Sequence, residues 1–189
     1  LKMQRVSLHT LGCKLNFAET STIAREFERR DFVVVPFGEP ADVTVINTCT
    51  VTGQAEQKCR NVVRRAVASS PDARVVVTGC YAQLRPDEIA AIDGVDLVVG
   101  NNEKSRLVEL TTALDPAAGT QVSVSCIDNL DEFGPAYSAT ERTRAFLKIQ
   151  DGCDYSCSFC TIPAARGPSR SAPIAETVAQ AYEIAERGY

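Results

Sequence analysis

An open, mostly parallel sheet with helices on both faces is the fold this sequence predicts for residues 1–113. Strand-like and helix-like segments alternate there almost strictly, and the connections between them are short. The run Val75-Val76-Val77 adds a third sign, because unbroken valines suit a strand that is covered on both faces. With 44% hydrophobic residues among 189, the chain can bury a core of that kind.

Residues 5–11 (RVSLHTL) alternate apolar and polar and read as the first strand, with Gly12-Cys13-Lys14-Leu15 as the turn behind it. Asn16 followed by Glu19 gives a cap-like start to a helix over 17–29, in which Ile23 and Phe27 stand at helical spacing. Residues 32–35 form a short strand stopped by Pro36, and 43–46 a third strand that runs into Asn47-Thr48-Cys49-Thr50. A helix over 54–68 ends at Ser69-Ser70-Pro71-Asp72. The fourth strand, 74–78, leads into Gly79-Cys80-Tyr81. A short helix over 86–91, a strand at 97–99 and a helix over 105–112 complete the unit.

Residues 114–142 read as a linker. It holds one strand over 121–127 and then an acidic stretch, 128–141, with Pro and Gly and no period, expected to run over the surface. A second unit occupies 143–189: an apolar strand (Phe146, Leu147, Ile149), a cysteine-rich loop and a helix over 174–187. One strand and one helix cannot bury their own apolar faces. The chain is therefore expected to be a piece of a longer protein, cut as its second domain begins.

The eight cysteines carry the chemistry. Cys13, Cys49 and Cys80 each follow a strand, so all three fall at the carboxyl edge of one sheet, where open α/β sheets bind ligands. They form either a three-thiolate site or three unrelated thiols. Cys153-x-x-x-Cys157-x-x-Cys160 places three more thiols in one loop. A structural zinc site wants a fourth ligand, commonly from a second C-x-x-C pair, and none exists here. The ferredoxin run, with its cysteine before proline, is also missing. Three cysteines imply a 4Fe–4S cluster with one iron left open. Cys59, inside a helix, and Cys126, in an alternating run, read as structural.

A single histidine (His9) argues against histidine-based acid–base or zinc chemistry, and a net charge of −4 argues against nonspecific coating of nucleic acid. No apolar run approaches the length of a membrane span, and the N-terminus has no signal-peptide pattern. Many cysteines without an export signal favour metal or catalysis over disulfides, so the expected compartment is the cytoplasm. Lys58, Arg60, Arg64 and Arg65 read as a solvated helix face. Arg142, Arg144, Lys148, Arg166 and Arg170 flank the cysteine loop and are expected to meet a polyanionic substrate.

The loop Asp151-Gly152-Cys153 through Cys157-Ser158-Phe159-Cys160, with an aromatic residue before its last cysteine, resembles the signature of radical S-adenosylmethionine (SAM) enzymes. Together with Leu11-Gly12-Cys13-Lys14-Leu15-Asn16, Asn47-Thr48-Cys49, Thr78-Gly79-Cys80-Tyr81 and Ala165-Arg166-Gly167, it resembles the methylthiotransferases across essentially the whole chain. The resemblance implies two 4Fe–4S clusters, one on Cys13, Cys49 and Cys80 and one on Cys153, Cys157 and Cys160. SAM chelates the open iron of the second, with Phe159 on the cofactor side. It implies that one SAM methylates the inserted sulfur, while a second is cleaved to a radical that takes hydrogen from C2 of an adenine. Implied partners are a tRNA anticodon stem-loop and an electron donor such as flavodoxin or ferredoxin. Residues 143–189 would be the opening strand, cluster loop and helix of a truncated radical SAM (β/α) barrel, inactive alone and without the family's C-terminal RNA-binding domain. The Gly-Cys-Lys-Leu-Asn form of the first motif is most similar to enzymes acting on N6-threonylcarbamoyladenosine. The isopentenyladenosine and ribosomal-protein aspartate branches, and a non-enzymatic iron–sulfur or RNA-binding fragment, remain the alternatives.

Overall fold

The computed structural model describes residues 3–50, 53–130, 132–139 and 144–189. Arg142 and Thr143, assigned above to the basic flank and to the start of the second unit, lie outside the described residues.

Ten strands and seven α-helices follow one another along the chain among the described residues. The first unit runs β1 (Arg5–Thr10), α1 (Lys14–Glu28), β2 (Val33–Val35), β3 (Val43–Thr48), α2 (Gly53–Ser69), β4 (Arg74–Gly79), α3 (Cys80–Leu84), α4 (Pro86–Ala90), β5 (Leu97–Val99), α5 (Leu107–Thr112) and β6 (Gln121–Ser123). These six strands make one parallel sheet in the order β2-β1-β3-β4-β5-β6.

Helices cover both faces, as the alternation predicts. On one face α2 supplies Cys59, Val63 and Ala66, α3 supplies Tyr81 and Ala82, and α4 supplies Ile89, packed on Ile46, Val75 and Val77. On the other, Ile23 and Phe27 of α1 and Leu107 and Val108 of α5 pack on Val6, Val43, Val45 and Val76. The valines of β4 thus divide between two cores, which is why the run is unbroken.

Three expectations need correction. Asn16 and Glu19 do not cap α1; the helix starts three residues earlier, with Cys13 as its N-cap, and both side chains are buried in its first turns. The strand expected over 121–127 is confined to β6, which extends the main sheet in parallel, and Ile127–Asn129 is a 3-10 turn. The acidic stretch is not wholly superficial. Ala136, Ser138 and Ala139 are buried, and β7 (Tyr137–Ser138) pairs antiparallel with β8 (Phe146–Leu147) against α1. Arg25 of α1 anchors it, with its guanidinium 3.9 Å from the centre of the Tyr137 ring and donating to the Tyr137 carbonyl at 2.8 Å.

The remaining elements are β9 (Gln150–Asp151), α6 (Ile162–Arg166), β10 (Arg170–Ser171) and α7 (Ile174–Glu186). The apolar strand expected at 146–149 ends at Leu147, and Ile149 is exposed. β9 pairs antiparallel with β10, so the cysteine loop lies within a small two-stranded frame.

Candidate metal centre

The strand order reverses between β1 and β3, which makes the carboxyl ends of those strands the topological switch point of the sheet. Cys13 leaves β1 and Cys49 leaves β3 on either side of that point, and Cys80 leaves β4 next door. Two glycines let the turns interlock. Gly12 has φ +100°, and a Cβ on it would lie 2.6 Å from Cβ and 2.8 Å from Sγ of Cys49. Gly79 has φ +99°, and a Cβ there would lie 2.5 Å from Asn47 Oδ1 and 2.6 Å from Thr48 N. Only glycine combines that backbone with that closeness.

Buried polar side chains brace the same turns. Asn16 Nδ2 donates to the carbonyls of Leu11 (2.8 Å) and Thr48 (3.0 Å), joining the ends of β1 and β3. Asn47 Nδ2 donates to Asn16 O at 3.0 Å, and Thr48 Oγ1 to Thr78 O at 2.6 Å. Cys59, fully buried in α2, donates its S–H to Cys49 O at 3.2 Å and accepts from Cys49 N at 3.4 Å. Burial pushes its thiol up to about 11, so it stays protonated. Cys59 supports the Cys49 turn and, as the sequence suggests, is structural.

Next to these turns lies a buried charge cluster. Glu19 of α1 contacts Lys104 Nζ at 2.7 Å, Arg166 Nη1 at 3.0 Å and Lys148 Nζ at 3.2 Å. Asp151 contacts Lys148 Nζ at 2.6 Å, Arg166 Nη1 at 2.9 Å and Arg170 Nη2 at 3.4 Å. Burial alone would raise the Glu19 carboxyl, but Lys104, Arg166 and Lys148 outweigh it and hold the group well below its ordinary value. Burial likewise opposes ionisation of Asp151, and Arg166 and Lys148 reverse the balance. Burial disfavours the Arg166 cation, yet Glu19, Cys80 and Asp151 lift it well above the ordinary value. Four cations therefore share two carboxylates here, and two of the four, Lys104 and Arg166, also interact with Cys80.

This overturns one expectation. Lys148 and Arg166 are buried, Arg170 is half-buried, and all three are ion-paired to acids of this chain rather than presented to a polyanion. Arg144 remains exposed. Of the helix group, Lys58, Arg64 and Arg65 are solvated, whereas Arg60 donates to the Tyr81 hydroxyl at 2.5 Å.

The second cysteine loop is open to solvent. Cys157 is exposed, Cys153 and Cys160 are half-buried, and Phe159 is 89% exposed. Among the described residues no three His, Cys, Asp or Glu side chains converge as a closed ligand sphere. The first triad is a set of thiols on adjoining turns, and the second a set within one loop. A donor set made only of sulfur nonetheless suits iron–sulfur or zinc rather than a hard cation, and the three-cysteine count suits the former. Cys126 is exposed, with its thiol beside Asp128.

Residues 5–100 match the family model described as uncharacterized protein family UPF0004, which covers the first five strands of the sheet and its three cysteines. The chain belongs to this family. It is 43% identical over 99% of its length to the threonylcarbamoyladenosine tRNA methylthiotransferase MtaB of Bacillus subtilis, and 39% identical over 98% to that of Aquifex aeolicus. A tRNA-2-methylthio-N(6)-dimethylallyladenosine synthase of Cereibacter sphaeroides is 31% identical over 98%. The chain spans 42%, 46% and 43% of these three relatives, respectively. The UPF0004 match ends at residue 100, so the second cysteine loop lies beyond it, though within the stretch shared with the relatives.

Proposed function

We propose that this chain carries the opening portion of a tRNA methylthiotransferase that converts N6-threonylcarbamoyladenosine beside the anticodon to its 2-methylthio derivative. Cys13, Cys49 and Cys80 would hold one 4Fe–4S cluster; Cys153, Cys157 and Cys160 would hold the other, with SAM beside Phe159. When bound, these groups supply the sulfur to be inserted and the radical that removes hydrogen from C2 of the adenine.

The observation that carries this reading is the anchoring of the Cys153–Cys160 segment, through Asp151 and Arg166, over the same sheet edge that bears Cys13, Cys49 and Cys80. Two-centre chemistry needs its centres close and shielded, which an anchored loop favours. The protein's own groups have definable tasks. Gly12 leaves space beside Cys49 Sγ, Cys59 fixes the Cys49 backbone, and Lys104 and Arg166 place positive charge near Cys80, where an anionic ligand set is favoured. The Gly12-Cys13-Lys14-Leu15-Asn16 motif and the two MtaB relatives support the threonylcarbamoyladenosine branch. The partner is then tRNA, the electrons come from a donor such as flavodoxin or ferredoxin, and the compartment is the cytoplasm. No helix of the described residues is long and apolar enough to cross a membrane.

Iron and acid-labile sulfide, with Mössbauer spectra, are to be measured after anaerobic reconstitution of the wild type and two triple alanine variants. One variant lacks Cys13, Cys49 and Cys80; the other lacks Cys153, Cys157 and Cys160. Two 4Fe–4S clusters, one lost in each variant, are expected. A single cluster that survives loss of the first triad would refute the two-centre reading. For the substrate, nucleoside mass spectrometry of tRNA from cells lacking the gene should show loss of 2-methylthio-N6-threonylcarbamoyladenosine. Loss of the isopentenyl derivative instead would reassign the branch.

A further inference from the structure

We propose that Arg166 is a positioning residue that clamps the cysteine loop of residues 153–160 onto the Cys13 turn, so that one guanidinium sets the spacing between the two triads. The significance of that spacing rests on the function proposed above; the clamp itself is a property of the chain.

Arg166 is buried, and its two terminal nitrogens are divided between distant segments. Nη2 donates to Asn16 Oδ1 at 2.6 Å and Glu19 Oε2 at 3.3 Å. Nη1 donates to Glu19 Oε1 at 3.0 Å and Asp151 Oδ1 at 2.9 Å. On the first side, Asn16 closes the turn that contains Cys13 through its bonds to Leu11 O and Thr48 O. On the second, Asp151 Oδ1 also accepts from Gly152 N at 2.8 Å, and Cys153 N donates to Gly167 O at 3.1 Å, the residue after Arg166. A path thus leads from the Cys13 turn through Asn16 to Arg166 by hydrogen bonds, along the chain to Gly167, and by a further hydrogen bond to Cys153.

The arginine is itself held in aim. Asn101 Nδ2, at the end of β5, donates to Ala165 O at 2.6 Å, and a Cβ on Gly167 would lie 2.6 Å from Ile127 O. The helix carrying Arg166 is therefore packed on the sheet unit and cannot swing away with the loop. A planar fork with separate donors suits this task, whereas a lysine ammonium offers one point of charge and cannot reach Asn16 and Asp151 together.

Hydrogen exchange on the full metal-free chain tests the clamp, comparing wild type with Arg166→Ala and Arg166→Lys. Arg166→Ala should speed exchange at least about tenfold in both 11–20 and 150–160, the size expected when charge-assisted hydrogen bonds are lost. β3 and β4 should keep their protection. Arg166→Lys should restore protection on one side only. Faster exchange confined to 162–171, with 11–20 unchanged, would mean a merely local role and would overturn the proposal. Failure of both variants to fold would also overturn it, since the residue would then be a folding element. Because exchange is read without metal, a chain that takes up no iron would sink the proposed function and leave this result intact.

Discussion

Glu19→Gln offers the sharpest test of the buried charge cluster. The substitution keeps size and shape and removes one of the two carboxylates that balance Lys104, Lys148, Arg166 and Arg170. The site is 6% exposed, so water cannot replace what is lost, and three cations at 2.7–3.2 Å lose their common partner. Removing one member of such a buried group costs about 3–5 kcal/mol. Against the roughly 5–15 kcal/mol that holds a typical domain together, that is about a fifth of the total or more. Urea unfolding is the assay: the midpoint should fall sharply while the slope stays unchanged, since the surface exposed on unfolding is the same. A loss below about 1 kcal/mol, the range of solvent-exposed pairs, would show that the cluster is hydrated and that the charge argument is wrong.

Three further outcomes are expected. Gly79→Ala should destabilise far more than Gly38→Ala in thermal melts: both have positive φ and share a strain of about 1–2 kcal/mol, but only Gly79 has Asn47 and Thr48 within reach of a new Cβ; equal losses would rule out the interlocking turns. In mass-spectrometric alkylation near pH 8, Cys59 should remain unmodified while Cys13 and Cys157 react, because its buried thiol titrates near 11. Burial, with Arg65 and Lys58 nearby, lowers the His9 value, so the unfolded chain takes up its proton first as pH falls. Stability should start to fall below about pH 6.5 in the wild type but not in His9→Gln, whereas the Glu19 and Asp151 contributions, with lowered values of their own, persist until about pH 4. Parallel curves for the two proteins would contradict the His9 assignment.

Much of the sheet was legible because its signals are local. The valines of β4, the glycine–cysteine turns and the stops at Pro36 and Pro71 each declare themselves within a few residues. The position of Cys13, Cys49 and Cys80 at one edge followed from strand order alone. The charge cluster was not legible, because its members come from α1, from the turn before α5 and from both sides of the cysteine loop. One signal was available. Asn16 and Glu19 share the buried face of α1 with Ile23 and Phe27, a place where polar residues demand partners. Reading Asn16 and Glu19 as a cap obscured it. The short strands β7, β9 and β10 were equally hidden, since two-residue pairings leave no periodicity, whereas β8 showed in its apolar residues.

The partners of Arg166 on α1 lie 147 and 150 residues earlier in the chain, whereas Lys104 is only 85 residues from Glu19. A chain emerging from the ribosome completes the whole sheet, and half of the ionic cluster, before the guanidinium is synthesised. Until then Asn16 and one side of Glu19 face water, and the Cys13 edge stands uncovered. Maturation of this protein would accordingly have an order written into it: the first trio of thiols is presented early and alone, and closure over it waits for a residue made about 150 positions later.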